Sequence, residues 1–174
     1  EREEGFAVFV VDNTNRTEAR YWIDDFLRVR QRQDNYHNTH NTLAMCKKYV
    51  TKHLSKEFEV SKADQAELLN ETMKYFQEQE SFSMDDFSEK LIRQPEVAES
   101  FARFKQEYEQ ERDIRIEDEF GISDSAVKKQ ARSYKSVIKL DRNFHIYVHG
   151  NRNLLEQGED EKGKFYKVYY EKEE

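Results

Sequence analysis

Histidine, cysteine and carboxylate pairs are the first places to look for chemistry in this chain. His37 and His40 stand three apart, a spacing that on a helix brings two imidazoles toward one metal ion. A ligand set must be complete, however, and no third ligand lies nearby. The surrounding Asn and Thr read more naturally as a polar turn and helix start. His145 and His149 lie four apart in a strand-like segment, about 13 Å at 3.3 Å per residue, too far to share one ion. Asp24 and Asp25 are adjacent, so their carboxylates diverge in a helix or a strand, whereas an acid and base pair must converge. Gly163-Lys164 lacks the rest of a phosphate loop, and five glycines in the chain supply no Gly-rich cradle. Cys46 falls on an apolar helix face with Leu43 and Val50, where a thiol is inert and has no base beside it. These residues predict neither an enzyme, nor a metal, nor a cofactor.

Charge gives a stronger signal. The chain of 174 residues has 29 Lys and Arg against 36 Asp and Glu, a net −7. Residues 125–152 reverse this: Lys128, Lys129, Arg132, Lys135, Lys139, Arg142 and Arg152 face Asp141 alone, a local +6 that leaves −13 elsewhere. Screening confines each field to about 10 Å at moderate salt, so a basic surface holds phosphates even on an acidic protein. Long cations reach backbone oxygens, Arg offers a two-pronged fork, and Tyr147 supplies a hydroxyl. The competing reading is a solvated helix and sheet face, since Lys and Arg belong on any surface. Nothing in the segment points to base-specific readout, and a hairpin follows the helix where a helix-turn-helix needs another helix.

The elements that carry this segment come from periodicity. After Gly121, Ser123 is placed to cap a helix running to about Tyr134, with Val127, Ala131 and Tyr134 as its apolar stripe. Lys128, Arg132 and Lys135 form a second stripe about 100° around the axis. Residues 136–140 and 144–149 then alternate as two strands. A three-residue loop of Asp141, Arg142 and Asn143 pairs Leu140 with Phe144 and Ile138 with Ile146, matching like with like, and puts Asn143 at the left-handed position. The outward face then carries Lys135, Val137, Lys139, His145, Tyr147 and His149. Residues 151–158 read as a short helical turn or a loop, and 165–170 as a third strand.

Upstream, FAVFVV at 6–11 reads as a strand ended by a turn, while 21–27 admits either a short helix or a strand. A helix is expected over 41–54 from Leu43, Cys46, Tyr49, Val50 and Leu54. Ser61 with Asp64 announces another, with Ala66, Leu69, Met73 and Phe76 on one face. Ser83 with Asp86 repeats the capping signal before Phe87 and Leu91. Pro95 opens the clearest amphipathic helix, through Val97, Phe101, Phe104 and Tyr108. Ile114 and Ile116 are spaced for a brief strand. The class is α+β: a helical middle section packed on a small antiparallel sheet, formed mainly by the C-terminal hairpin and the last strand, with 6–11 as an additional candidate. A single domain over 1–174 is expected, with a helical lobe at about 37–112 and a β-rich lobe at about 113–174. With 12 Phe and 10 Tyr the chain has the anchors to fold. It has no run of eighteen apolar residues, no signal-peptide start and one cysteine, which reads as a cytoplasmic protein without a membrane partner. Glu rather than Met at position 1 reads as a fragment of something longer.

At 127–151 (VKKQARSYKSVIKLDRNFHIYVHGN) and 164–171 (KFYKVYYE) the sequence resembles the bacterial nucleoid-associated protein family of the NdpA or YejK type. Residues 6–12, 21–27 (YWIDDFL) and 58–64 are also similar to that pattern. The resemblance implies a cytoplasmic, nucleoid-associated protein that binds double-stranded DNA without catalysis, and likens this chain to the C-terminal half of longer members. It assigns no individual DNA contacts. Charge geometry selects Lys128, Arg132, Lys135, Lys139, Arg142 and Tyr147. The alternative is an interaction module whose aromatic faces hold a protein partner or a second copy, as a homo-oligomer.

Overall fold

A computed structural model describes Val8 and residues 26–28, 32–134, 137–148 and 152–173. The chain divides into two compact units, Glu1–Gln33 and Asp34–Glu174. Apart from Val8, the expected strand at 6–11 lies outside the described residues, as does 21–27 apart from Phe26 and Leu27.

In the second unit, Asp34 starts the first helix. Its backbone is extended and its carboxylate accepts the His37 N–H at 2.9 Å, so α1 (Asn35–Lys48) begins several residues before the apolar periodicity does. The helix passes through a π-helical turn, Tyr49–His53, into α2 (Leu54–Glu57), burying Leu43, Cys46, Tyr49, Val50 and Leu54. The second helix has the expected reciprocal cap: Asp64 N–H donates to Ser61 Oγ and Ser61 N–H to Asp64 Oδ2, each at 3.1 Å. From there α3 (Lys62–Glu78) buries Ala66, Leu69, Met73 and Phe76. Pro95 stands in the first turn of α5 (Pro95–Arg112), whose Val97, Phe101, Phe104 and Tyr108 are buried.

Between α3 and α5 the second capping signal is overridden. Ser83 makes no side-chain cap and instead ends β1 (Ser81–Ser83), which pairs antiparallel with β2 (Glu119–Gly121). Phe82 lies opposite Phe120 with ring centroids 4.9 Å apart. The Asp86 carboxylate is taken by the Tyr75 hydroxyl at 2.8 Å and by Lys90. As a result α4 (Met84–Phe87) is a single turn followed by a π-helical turn, Ser88–Ile92, and Ile92 is buried where Leu91 was expected. The strand expected at Ile114 and Ile116 does not form. Ile116 is buried singly and its N–H donates to Glu109 Oε1 at 2.7 Å. The chain pairs only at β2, where a Cβ on Gly121 would come within 2.7 Å of Asn35 Nδ2.

The C-terminal hairpin has the expected register. In β3 (Val137–Leu140) and β4 (Phe144–Tyr147), Leu140 faces Phe144, Lys139 faces His145, Ile138 faces Ile146 and Val137 faces Tyr147. The left-handed loop residue is Asp141, at φ 50°, rather than Asn143. Short Asx side chains tolerate that conformation. Within the segment read as a helical turn or loop, the described residues form a 3₁₀ turn, Arg152–Leu154, and then β5 (Leu155–Asp160), which pairs with β6 (Gly163–Val168). The last strand therefore joins its sequence neighbour instead of the β3–β4 hairpin. The tight turn favours this, since Asp160 Oδ1 accepts the Lys162 N–H at 2.8 Å and Gly163 takes φ 117°. The class is α+β, with three two-stranded ladders among the described residues.

One large core joins the helices with Phe120, Val127 and Tyr134, and a smaller one gathers Ile138, Val148 and Leu155 against Ala63 and Ala66. Helix α3 contributes to both. Asn70 on the same helix donates to the Val148 carbonyl at 3.1 Å. Ile138 is 2% exposed, so Ile138→Asp strands a carboxylate in that second core and is expected to cost about 4 kcal/mol in urea denaturation. Ile146→Asp, at the half-buried end of the pair, is expected to cost less. A wild-type midpoint for Ile138→Asp would contradict the register.

Candidate nucleic-acid interface

The basic segment is held by a helix with one committed side. In α6 (Asp124–Ala131) Ala126 and Val127 are buried and the helix packs on α1 and α3. Two hydrogen bonds fix its ends to α1. Thr39, itself fully buried, accepts the Ser123 N–H on Oγ1 at 2.9 Å, and the Tyr134 hydroxyl donates to the Leu43 carbonyl. Ser123 stands at the N-cap position but its side chain does not cap; it meets the Ser125 hydroxyl at 3.1 Å instead. The helix ends at Ala131, three residues short of Tyr134, which reaches the core from a turn. With Val127 and Tyr134 inward, Lys128 and Arg132 face water.

On the hairpin, Lys139 and its cross-strand neighbour His145 are exposed, and Tyr147 on the same face is 58% exposed. Arg142 stands exposed in the loop. Helix α3 packs against both α6 and β3. The structure thus brings Lys139 and Tyr147 onto one hairpin face with Arg142 at its tip, and sets Lys128 and Arg132 on the open side of α6. Lys135 lies outside the described residues, as does His149.

Several cations of the helical section are paired with carboxylates, while Lys52 and Lys56 are exposed there without a side-chain partner among the described residues. Lys48 meets Glu111 at 2.6 Å, Lys90 meets Asp86 at 2.9 Å, Arg103 meets Glu57 at 3.3 Å and Lys105 meets Asp118 at 2.8 Å. The side chains of Lys128, Arg132, Lys139 and Arg142 have no carboxylate or hydrogen-bond partner among the described residues. An unpaired surface cation keeps its full field for a mobile anion. Two further residues, outside the six selected by charge geometry, bear on this surface. Lys129 turns back onto α1, with Nζ 3.2 Å from the Tyr36 hydroxyl and 5.9 Å from that ring's centroid. Phe144 shares the inward alternation of Ile138 and Ile146 yet is 65% exposed, because it sits one residue past the loop and beyond the core. Its place at the hairpin tip was the available signal.

The remaining chemical candidates have structural partners. His37 Nδ1 lies 2.8 Å from Asp34 Oδ1, and the His40 ring stacks on Tyr36 with centroids 6.3 Å apart. Burial pushes the Cys46 thiol far above its ordinary range. Asp24 and Asp25 lie outside the described residues. No group of three His, Cys, Asp or Glu is arranged to hold a metal among the described residues, and none of their helices is long and apolar enough to cross a membrane.

Burial also pushes the Tyr134 hydroxyl well above its ordinary value of 10.0. The native state therefore keeps a proton that the unfolded chain releases above about pH 10, so this contribution to stability is intact below that pH and is lost as pH rises. Tyr134→Phe is expected to lose about 1 kcal/mol at neutral pH, through the missing bond to Leu43, and to show a shallower alkaline decline in urea midpoint. An identical decline in both proteins would contradict this docking.

In comparison with known protein families, residues 1–171 match the family described as nucleoid-associated protein YejK. Comparisons with curated proteins and with solved structures return no significant match. The match takes in α1 to α6 and all three ladders, including the cation-bearing helix and hairpin. With all but its last three residues inside that match, the chain belongs to the family of the nucleoid-associated protein YejK.

Proposed function

We propose that this chain is a non-enzymatic, nucleoid-located DNA-binding protein of the cytoplasm. It contacts the phosphates of double-stranded DNA with little sequence selectivity, through Lys128, Arg132, Lys135, Lys139, Arg142 and Tyr147. The observation that carries the reading is that Lys128, Arg132, Lys139 and Arg142 fall in one segment of local charge +6 and their side chains have no partner among the described residues. Family membership supports it. Lys135 enters on its position in the sequence between Arg132 and Lys139. On this reading the six residues form one connected face, the domain spans 1–174, and no base edge is read. Phosphate contacts position a protein without reporting sequence.

A second reading rests on the last hairpin, where Leu154, Val168, Tyr169 and Tyr170 are exposed together near the chain's end. Such a surface suits a protein partner or a second copy. Sedimentation of Tyr169→Ser and Tyr170→Ser variants separates the two: a change in mass with DNA affinity intact assigns that surface to assembly.

Fluorescence anisotropy with duplex DNA at a series of salt concentrations tests the first reading. Neutralising four or five phosphates is expected to give a slope of log affinity against log salt of about −4, at about −0.9 per contact. Each Ala substitution at Lys128, Arg132, Lys139 or Arg142 should flatten the slope by about one unit, with the far-UV dichroism unchanged. A Lys128→Glu, Arg132→Glu, Lys139→Glu triple variant that binds as tightly as the parent at low salt would remove this face from consideration.

A further inference from the structure

We propose that Phe144 is an apolar wedge that enters a base step of the duplex held by the neighbouring cations, an inference that rests on the phosphate-contact reading above. Across the β3–β4 ladder the inward face runs from buried Ile138 and half-buried Ile146 to Leu140 and Phe144. The second core ends before the hairpin does. Leu140 is half-buried and still packs against that core, but Phe144 opposite it is 65% exposed at the loop end of a two-stranded ribbon. Exposing a ring costs the burial it forgoes, so the position favours a residue whose contact lies outside the chain.

Its surroundings specify that contact. Arg142 stands two residues before it in the loop, and Lys139 and His145 form the next cross-strand pair on the opposite face, all exposed. Asp141 is the single carboxylate of the hairpin. Two strands about 5 Å apart form a ribbon narrow enough to enter a groove. Apolar side chains inserted between base pairs unstack a step and kink the duplex, and cations alongside hold the bent backbone. Phe144 and Tyr147 lie on opposite faces of the hairpin, which does not suit a platform stacking successive bases of a single strand. A symmetric contact between two copies at this tip would set Arg142 and Lys139 against their own counterparts.

The test uses the 174-residue chain and two fluorescein-labelled duplexes, one fully paired and one with a central mismatch. A mismatched step is already weakened, so the parent is expected to bind it about five-fold more tightly. Phe144→Ala should bind both duplexes equally and about ten-fold more weakly than the parent, with its salt slope unchanged, because a ring carries no counterion. Phe144→Trp should keep the preference, and Arg142→Ala should flatten the slope while keeping it. Preference retained in Phe144→Ala, or absent from the parent with its salt slope intact, overturns the wedge and leaves the phosphate reading standing. Absence of duplex binding by the parent at low salt overturns both. A lowered melting temperature or altered sedimentation of Phe144→Ala would mean that the ring packs against protein, which also overturns the proposal.

Discussion

Docking of α6 on α1 is the constraint on which the basic surface depends. Two hydrogen bonds tie the flanks of α6 to α1, the Ser123 N–H donating to Thr39 Oγ1 and the Tyr134 hydroxyl donating to the Leu43 carbonyl, while Ala126 and Val127 are buried between those anchors. Each bond is worth about 1 kcal/mol net, but leaving either buried partner unsatisfied would cost more. The pair therefore fixes rotation about the helix axis as well as position. Once Val127 and Tyr134 are inside, Lys128 and Arg132 have only solvent to face.

Helix α3 extends this order to the hairpin. One part of it joins the main core, and Ala63 and Ala66 form the floor on which Ile138, Val148 and Leu155 rest. Small residues there let the hairpin approach closely, and Asn70 ties down the Val148 carbonyl. The electrostatic division follows the same architecture. Some carboxylates in the helical section pair with local cations such as Lys48, Lys90 and Lys105, and screening confines the field of the others to about 10 Å, so the net −7 of the chain leaves room for a basic segment around Lys128 and Arg142.

Much of this was legible in the residues, for identifiable reasons. The Ser61 and Asp64 cap, the Pro95 helix and the pairing of Ile138 with Ile146 each rest on short-range chemistry that nothing else in the fold contests. The misreadings arose where tertiary partners compete. Asp86 is a good capping residue, but a buried Tyr75 hydroxyl and Lys90 claim it first. Ile114 and Ile116 alternate like a strand, yet no strand among the described residues pairs with them, and Phe82 recruits Phe120 instead. The β5 strand, with Glu156, Gln157, Gly158 and Glu159, has almost no apolar alternation, and the turn after Asp160 creates it. Of the six residues proposed for the site, Lys128, Arg132, Lys139, Arg142 and Tyr147 are exposed. Phe144 escaped notice because alternation predicts which face a residue takes but not where the core beneath that face ends.

Lysine footprinting tests the central claim most directly, because it reads contact at each side chain in the intact protein. Acetic anhydride would be applied to the chain alone and with excess duplex DNA at low salt, and modification followed by mass spectrometry. Lys52 and Lys56, exposed on the helical section, are internal controls. The account predicts that DNA protects Lys128 and Lys139 while Lys52 and Lys56 react at unchanged rates. Equal modification of Lys128 and Lys139 with and without bound DNA would contradict it.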